Sequence, residues 1–163
     1  MLFRSLALDD AFDLSVAALT ASGTDERNAK AIARVIWRAE RDGAASHGLF
    51  RIPAYVATFK KGKAKGDANP AISETDGAIL RMNADNAFTP LAHEVGLPAL
   101  ADAARKHGMA TLGISRVFHY AALWPEVEAL TDQGLVGMAF TCSPPYVAPH
   151  GGKRRMFGTN PMA

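Results

Sequence analysis

The sequence predicts an α/β protein of the α+β kind, with a helical N-terminal segment followed by part of a sheet domain flanked by helices. Apolar residues recur at helical spacing in three stretches between residues 9 and 61. A connection rich in Lys, Gly, Asp, Asn and Pro follows at residues 62–70, and short apolar runs then alternate with further helical stretches. Neither a Gly-x-Gly-x-x-Gly nor a phosphate-loop motif is present, so the sheet is not predicted to be a Rossmann domain.

Composition limits the class of protein. Of the 163 residues, 48% are apolar and 21% charged, which suits a folded domain with a buried core. The chain has 18 Lys and Arg residues against 16 Asp and Glu, and this excess of positive charge is too weak to predict nucleic-acid binding. The single cysteine, Cys142, excludes an internal disulfide and is typical of a reducing compartment, so we expect a cytoplasmic protein. No apolar run approaches the ~20 residues of a membrane-spanning helix, and no export signal is evident.

Three helices are predicted in the N-terminal segment, at residues 9–21, 24–43 and 52–61. In the second helix Thr24 is the predicted N-cap, acidic residues follow it, and Gly43 ends the helix. Its buried face is predicted to contain Ala29, Ile32, Ala33, Ile36 and either Ala39 or Glu40.

Strands and helices alternate in the remainder. Strands are predicted at residues 78–82, 109–115 and 135–142, with helices at 90–106 and 124–131. We place a domain boundary near residue 70, giving a helical segment at 1–70 and the first part of a sheet domain at 71–163. Residues 142–163 are rich in Pro and Gly and contain no closing helix or strand, so we expect further chain after Ala163.

The first candidate site is the Ser46-His47-Gly48 turn with Arg51. Arginine can hold a carboxylate through two parallel hydrogen bonds, and histidine changes charge near neutral pH, so the pair could orient an acid and protonate it. The alternative interpretation is that Ser46 caps the next helix and His47 is an ordinary loop residue.

Two further segments could bind ligands. His119-Tyr120-Ala121-Ala122-Leu123 follows a predicted strand and precedes a helix, a place where backbone N–H groups and a histidine can meet phosphate or a nicotinamide ring. Its alternative is a surface histidine beside core residues. Gly151-Gly152 and Gly158-Thr159-Asn160-Pro161 bracket the basic Lys153-Arg154-Arg155, which is either a ligand loop or a flexible, solvated one.

A metal site is not predicted. The histidines show no ligand spacing with nearby acids or with the cysteine. Lysines at positions 60, 61, 63 and 65 lack interleaved aromatic residues after Phe59, so they predict a solvated connection rather than a nucleic-acid surface.

The order of these motifs resembles the malate/L-lactate dehydrogenase superfamily, whose members do not use a Rossmann domain. The resemblance depends on Ser46-His47-Gly48 with Arg51 and Tyr55, followed by His119-Tyr120, Pro149-x-Gly151-Gly152 and Gly158-Thr159-Asn160-Pro161. Within the superfamily, residues 119–128 resemble the branch of Δ1-piperideine-2-carboxylate/Δ1-pyrroline-2-carboxylate reductases, because malate-type relatives usually carry Gly where Ala121 stands.

The resemblance implies a homodimer with a mostly antiparallel cofactor-binding sheet and an active site between domains. Ser46 would act as a relay with a downstream aspartate, and His47 as the proton donor. Arg51 and Thr159 would hold the substrate carboxylate, while residues 119–123 (His119, Tyr120, Ala121, Ala122 and Leu123) would contact NADPH or NADH. The product of imine reduction would be proline or pipecolate.

Length departs from the family pattern, because members run to about twice this chain. We expect the relay aspartate and the rest of the cofactor pocket in the other half, supplied as further chain or as an associating piece. Two alternatives remain open: a malate- or lactate-type enzyme acting on a 2-oxo acid, and a truncated, non-catalytic remnant that self-associates.

Overall fold

The computed structural model describes residues 5–118 and 121–163. It divides into two compact units, of which the first ends at Ala122 and the second comprises Leu123–Ala163. The boundary proposed near residue 70 concerns the domains of the whole protein and stays a prediction.

The three N-terminal helices form as the apolar spacing predicts: α1 is Leu8–Thr20, α2 is Glu26–Arg41 and α3 is Ile52–Lys60. The predicted cap of α2 was wrong by one residue. Asp25, not Thr24, is the N-cap, because its carboxylate accepts the backbone N–H of Asn28 at 2.7 Å. The predicted apolar face is buried, with Ala39 rather than Glu40 completing it.

The connection at residues 62–70 is less exposed than its composition predicts. Ala64 and Ala68 are buried, and the carbonyl of Gly66 accepts the backbone N–H of Asp25 at 2.8 Å. A Cβ on Gly66 would lie 2.6 Å from the carbonyl oxygen of Gly23. This segment therefore packs closely against the start of α2, and glycine is required there for space.

A three-stranded sheet lies in the first unit, in the order β1 (Ala71–Asp76), β2 (Ile79–Phe88) and β3 (Thr111–Phe118). β1 pairs antiparallel with β2, and β2 pairs parallel with β3. The crossover is α4, Thr89–His107, which confirms the helix expected there. β1 was not predicted, because it is an almost wholly exposed edge strand without a clear alternation of apolar residues.

β2 extends six residues past the predicted end at residue 82. Asp85 and Asn86 lie at a bulge, where the register with β3 breaks between Asn83 and Ala87. Asp85 and Asn86 there have positive φ angles of 52° and 61°, which Asp and Asn tolerate better than most residues. Lys65 donates to the Asp85 carboxylate at 2.6 Å, so the bulge contacts the connection that precedes β1.

Two apolar clusters form the core of the first unit. One joins α1, α2 and α3 to the end of β2, with Leu19, Ile36, Tyr55 and Phe88 as its largest members. The other lies between the sheet and α4 and includes Met82 and Ala92.

The second unit contains α5, Trp124–Thr131, as predicted. The strand predicted at residues 135–142 is wrong: only Phe140 forms a bridge there, to Met162, and Ala139 exchanges two backbone hydrogen bonds with Ala163. The N–H of Thr141 also donates to the Pro161 carbonyl at 3.4 Å. A strand needs a continuous hydrogen-bonding partner, and the described residues of this unit supply only this short contact with residues 161–163. Residues 142–163 are otherwise irregular, with a second bridge between Val147 and Phe157.

None of the helices in the described part of the chain combines the length and apolar character needed to cross a membrane.

Candidate active site

Ser46 and His47 lie between α2 and α3, where the chain makes two short 3-10 turns, Ala45–His47 and Leu49–Arg51. Ser46 Oγ is 2.9 Å from His47 Nδ1. The hydroxyl donates to Nδ1 when that nitrogen is unprotonated and accepts from it when it is protonated. Because Nδ1 is engaged with Ser46, Nε2 is the ring nitrogen that could exchange a proton with a ligand.

Arg51, in the second turn, is half-buried. Its Nε atom is buried and has no hydrogen-bond partner among the residues that the structure describes. A buried N–H without an acceptor is costly, and a ligand carboxylate is the acceptor that a guanidinium binds best. Arg51 is therefore suited to receive an anionic group beside the Ser46–His47 pair.

The half-buried His47 is electrostatically coupled to this arginine. Burial, and then the positive charge of Arg51, lower the pKa of His47 below its ordinary value. One helical turn further on, burial raises the pKa of Tyr55 to about 12, with Arg51 acting in the opposite direction. The imidazole is therefore mainly neutral at pH 7, and an anion bound to Arg51 would favour its protonation.

Glu40, in the last turn of α2, also belongs to this neighbourhood. Its Oε1 atom accepts the backbone N–H of Leu49 at 2.7 Å, and its carboxylate fills the space next to the Cα of Gly48. Sequence analysis did not identify Glu40 as a site residue. Its contact with Leu49 spans nine positions and runs from side chain to backbone, which no spacing rule reveals.

The second predicted segment is only partly described. His119 and Tyr120 lie outside the described residues, so their predicted cofactor contacts stay predictions. Ala122 and Leu123 are buried, at 2% and 9% exposure, and Ala121 is half-buried. Contact between the two buried residues and a cofactor would therefore involve mainly their backbone.

Thr159 lies in the second unit, in a loop that hydrogen-bonds to Ser143. The two hydroxyls are 3.0 Å apart, and the Asn160 side chain accepts the backbone N–H of Ser143 at 3.1 Å. A Cβ on Gly158 would overlap the Ser143 carbonyl oxygen. Gly158 and Asn160 thus hold the loop, while Thr159 stands exposed at its surface.

The structure thus brings Ser46, His47 and Arg51 together in the first unit. The role expected of Thr159 on the same carboxylate stays a prediction. The basic run Lys153-Arg154-Arg155 is exposed. A search of residues 5–118 and 121–163 finds no group of three or more His, Cys, Asp or Glu placed to hold a metal ion.

Comparison with known sequences identifies relatives across almost the whole chain. The family model for malate/L-lactate dehydrogenase matches residues 6–163. Delta(1)-pyrroline-2-carboxylate reductase 2 of Burkholderia multivorans is 42% identical over 158 residues, which is 97% of this chain and 46% of that protein. The Delta(1)-pyrroline-2-carboxylate reductase of Ancylobacter novellus is 46% identical over 145 residues. The chain spans about half the length of the curated relatives it matches.

Solved structures agree with these sequence matches. The delta1-piperideine-2-carboxylate reductase of Pseudomonas syringae pathovar tomato superposes with a TM-score of 0.91 at 36% identity, covering 98% of this chain and 48% of that one. The malate dehydrogenase of Pyrococcus horikoshii, at 24% identity and a TM-score of 0.89, shares the fold, with 98% of this chain and 46% of that one covered. By the family match and the fold together, the chain belongs to the malate/L-lactate dehydrogenase family of oxidoreductases.

Proposed function

We propose that this chain supplies the proton-donor and carboxylate-binding part of a reductase that converts a cyclic imino acid, Δ1-pyrroline-2-carboxylate or Δ1-piperideine-2-carboxylate, to proline or pipecolate. The observation that carries the proposal is the buried Nε of Arg51, which has no hydrogen-bond partner among the described residues and lies one 3-10 turn beyond the hydrogen-bonded Ser46–His47 pair. The names of the relatives at 42% and 46% identity support the choice of substrate.

The chemistry divides between the protein and a nicotinamide cofactor. Bound as NADPH or NADH, the cofactor would supply a hydride to the carbon of the C=N bond. Arg51 and Thr159 hold the substrate carboxylate and so orient the imine. His47 delivers a proton from Nε2 to the imine nitrogen, while Ser46 Oγ accepts from Nδ1–H and fixes the ring.

Substrate binding itself prepares His47 for this step. Burial, and then the charge of Arg51, lower the pKa of His47 in the free protein, so the imidazole is mainly neutral at neutral pH. A carboxylate on Arg51 offsets that positive charge and promotes protonation once the substrate is in place. The proton then passes to the imine nitrogen, whose basicity rises as the hydride reaches the neighbouring carbon.

Cofactor contacts are proposed at residues 119–123. The small side chains of Ala121 and Ala122 support this assignment, because they let the backbone approach a planar ring closely. We further propose NADPH as the preferred form, a homodimeric assembly in the cytoplasm, and a relay aspartate supplied by the half of the relatives that this chain does not span.

The test is an activity assay of this chain produced together with the complementary half of the Burkholderia multivorans relative. Oxidation of NADPH is followed with the two cyclic imino acids, pyruvate and oxaloacetate. We expect turnover of the imino acids, and its loss in His47→Ala but not in the matched control His107→Ala, which alters an exposed histidine at the end of α4. Faster turnover of the oxo acids would instead assign the protein to the malate-type branch.

A second candidate function, self-association without catalysis, is favoured by the surface of the second unit. Val136, Met138 and Phe140 are 96%, 65% and 64% exposed, a run of apolar side chains that usually contacts a partner. Sedimentation of this chain alone tests the idea: a dimer that Met138→Ser/Phe140→Ser converts to a monomer supports it, and a monomeric parent chain rejects it.

A further inference from the structure

Glu40 binds the backbone of the Ser46–His47–Arg51 segment. Its carboxylate reaches from the last turn of α2 to the N–H of Leu49, the first residue of the second 3-10 turn, at 2.7 Å. That N–H begins a short turn and has no carbonyl of its own turn to donate to. Glu40 thus fixes the point where the chain passes from the Ser46–His47 pair to Arg51.

Gly48 makes this contact possible. Its φ of −89° is open to any residue, so backbone strain does not explain the glycine. A Cβ at this position would overlap Glu40 Oε1 and lie 2.6 Å from Cδ and 3.1 Å from Cγ. The glycine of the Ser-His-Gly motif therefore leaves room for the carboxylate of Glu40, which a methyl group at this position would displace.

The bond lies between the two groups that the proposed chemistry uses. His47 precedes Gly48 and Arg51 follows Leu49 by two residues, and the backbone N–H of Arg51 donates to the Gly48 carbonyl at 2.9 Å. If the Gly48–Leu49 peptide moves, the imidazole and the guanidinium move relative to each other. Proton delivery depends on sub-ångström placement of these groups.

We propose that Glu40 is a positioning residue, whose carboxylate holds the Gly48–Leu49 peptide and thereby sets the placement of His47 relative to Arg51. This inference deepens the proposed function and its catalytic consequence rests on it. The hydrogen bond itself and its effect on the imidazole do not depend on the proposed function, so both can be measured without turnover.

The first experiment measures amide hydrogen exchange and histidine ring resonances of this chain by NMR. Glu40→Ala removes the acceptor, Glu40→Gln keeps one, and Gly48→Ala displaces the native carboxylate with a single methyl group. We expect exchange at the Leu49 amide to be about ten- to hundredfold faster in Glu40→Ala and Gly48→Ala. Glu40→Gln should stay near the parent value, and the His47 ring resonances should shift only in the first two variants.

A surface carboxylate provides the matched control. Glu74 is exposed and pairs with Arg81 at 3.2 Å, so Glu74→Ala should leave both Leu49 exchange and the His47 resonances unchanged. If Glu40→Ala fails to fold, Gly48→Ala decides the question, because it perturbs the same contact while keeping the carboxylate. Exchange of the α2 and β2 amides at the parent rate establishes that the fold is intact.

The second experiment measures kcat and KM of the complemented reductase. We expect Glu40→Ala and Gly48→Ala each to lower kcat/KM about ten- to hundredfold, while Glu40→Gln keeps most of the parent kcat/KM. The double variant Glu40→Ala/Gly48→Ala should be no worse than either single variant.

Unchanged Leu49 exchange in Glu40→Ala overturns the proposed bond. Faster exchange with parent-like His47 resonances reduces Glu40 to a structural role and overturns positioning. An inactive parent protein defeats the proposed function alone, and the NMR result still decides the role of Glu40.

Discussion

The ring of Phe88 joins three elements of the first unit: its own strand β2, helix α3 and strand β3. It lies at the end of β2 with 2% of its surface exposed and makes edge-to-face contacts with Tyr55, Phe59 and Phe118, at centroid distances of 5.0, 4.9 and 5.8 Å. Tyr55 belongs to the helix that follows Arg51, and Phe118 is the last residue of β3. We therefore expect Phe88→Ala to be strongly destabilising.

The size of the effect follows from burial and geometry. Truncating a buried phenylalanine to alanine typically costs about 3–5 kcal/mol, and the three ring pairs place this site at the upper end, since each aromatic pair contributes about 0.5–1.5 kcal/mol beyond its buried area. For a chain of this length the corresponding fall in Tm is about 6–20 °C. Phe88→Leu keeps most of the apolar volume and loses the ring pairs, so its cost should be intermediate.

Urea unfolding followed by tryptophan fluorescence measures this loss. The chain has two tryptophans, so a Trp124→Phe background leaves Trp37 of α2 as the reporter of the first unit. Ile79→Ala, at the other end of β2 and 49% exposed, is the matched control and should cost about 1 kcal/mol or less. A Phe88→Ala variant no less stable than Ile79→Ala would refute the argument that this ring organises the core beside the site.

Three further predictions concern charge and space. Arg51→Gln should raise the pKa of His47 but leave it below its ordinary value, since burial is the larger cause of its depression. Arg51→Lys keeps the positive charge and should leave the pKa of His47 unchanged. An NMR titration of His47 checks this, and equal pKa values in the two variants would contradict it. Because His47 binds a proton less readily in the folded than in the unfolded protein, the free energy of unfolding should fall as the pH drops from about 6.5 towards the lowered pKa. Urea unfolding at several pH values measures this, and His47→Gln should make the free energy of unfolding depend less on pH. An unchanged pH dependence in His47→Gln would exclude His47 as its cause. Gly66→Ala should cost about 1–3 kcal/mol, because its Cβ would lie 2.6 Å from a backbone oxygen. Gly113→Ala, with no atom closer than 4.0 Å, should be neutral or slightly stabilising; similar thermal stabilities for the two variants would reject the steric reason.

Sequence patterns were sufficient to predict those elements whose structure depends mainly on their own residues. The helices at α1, α2, α3, α4 and α5 follow from apolar spacing and end signals, because an amphipathic helix satisfies its own backbone hydrogen bonds. The same reasoning placed Ser46, His47 and Arg51 close together, since residues within two short turns are neighbours in any fold. Their order along the chain with the later motifs also indicated the family, which the match over residues 6–163 confirms.

Pattern reasoning was insufficient where a strand depends on its partners. β1 forms because β2 offers it an edge, although its own residues show no clear alternation. Residues 135–142 have the apolar content of a strand, yet only Phe140 finds a bridging partner in the described chain. Since β pairing is made between segments, apolar content alone does not determine it.

The sequence by itself determined the helices, the family and the proximity of Ser46, His47 and Arg51, because these depend on local periodicity and on the order of motifs. Only the tertiary structure decided that Glu40 accepts the Leu49 N–H, that Gly48 leaves room for the Glu40 carboxylate, and that Phe88 joins three elements. These features arise from contacts between residues brought together by folding, where close packing allows one atom to exclude another.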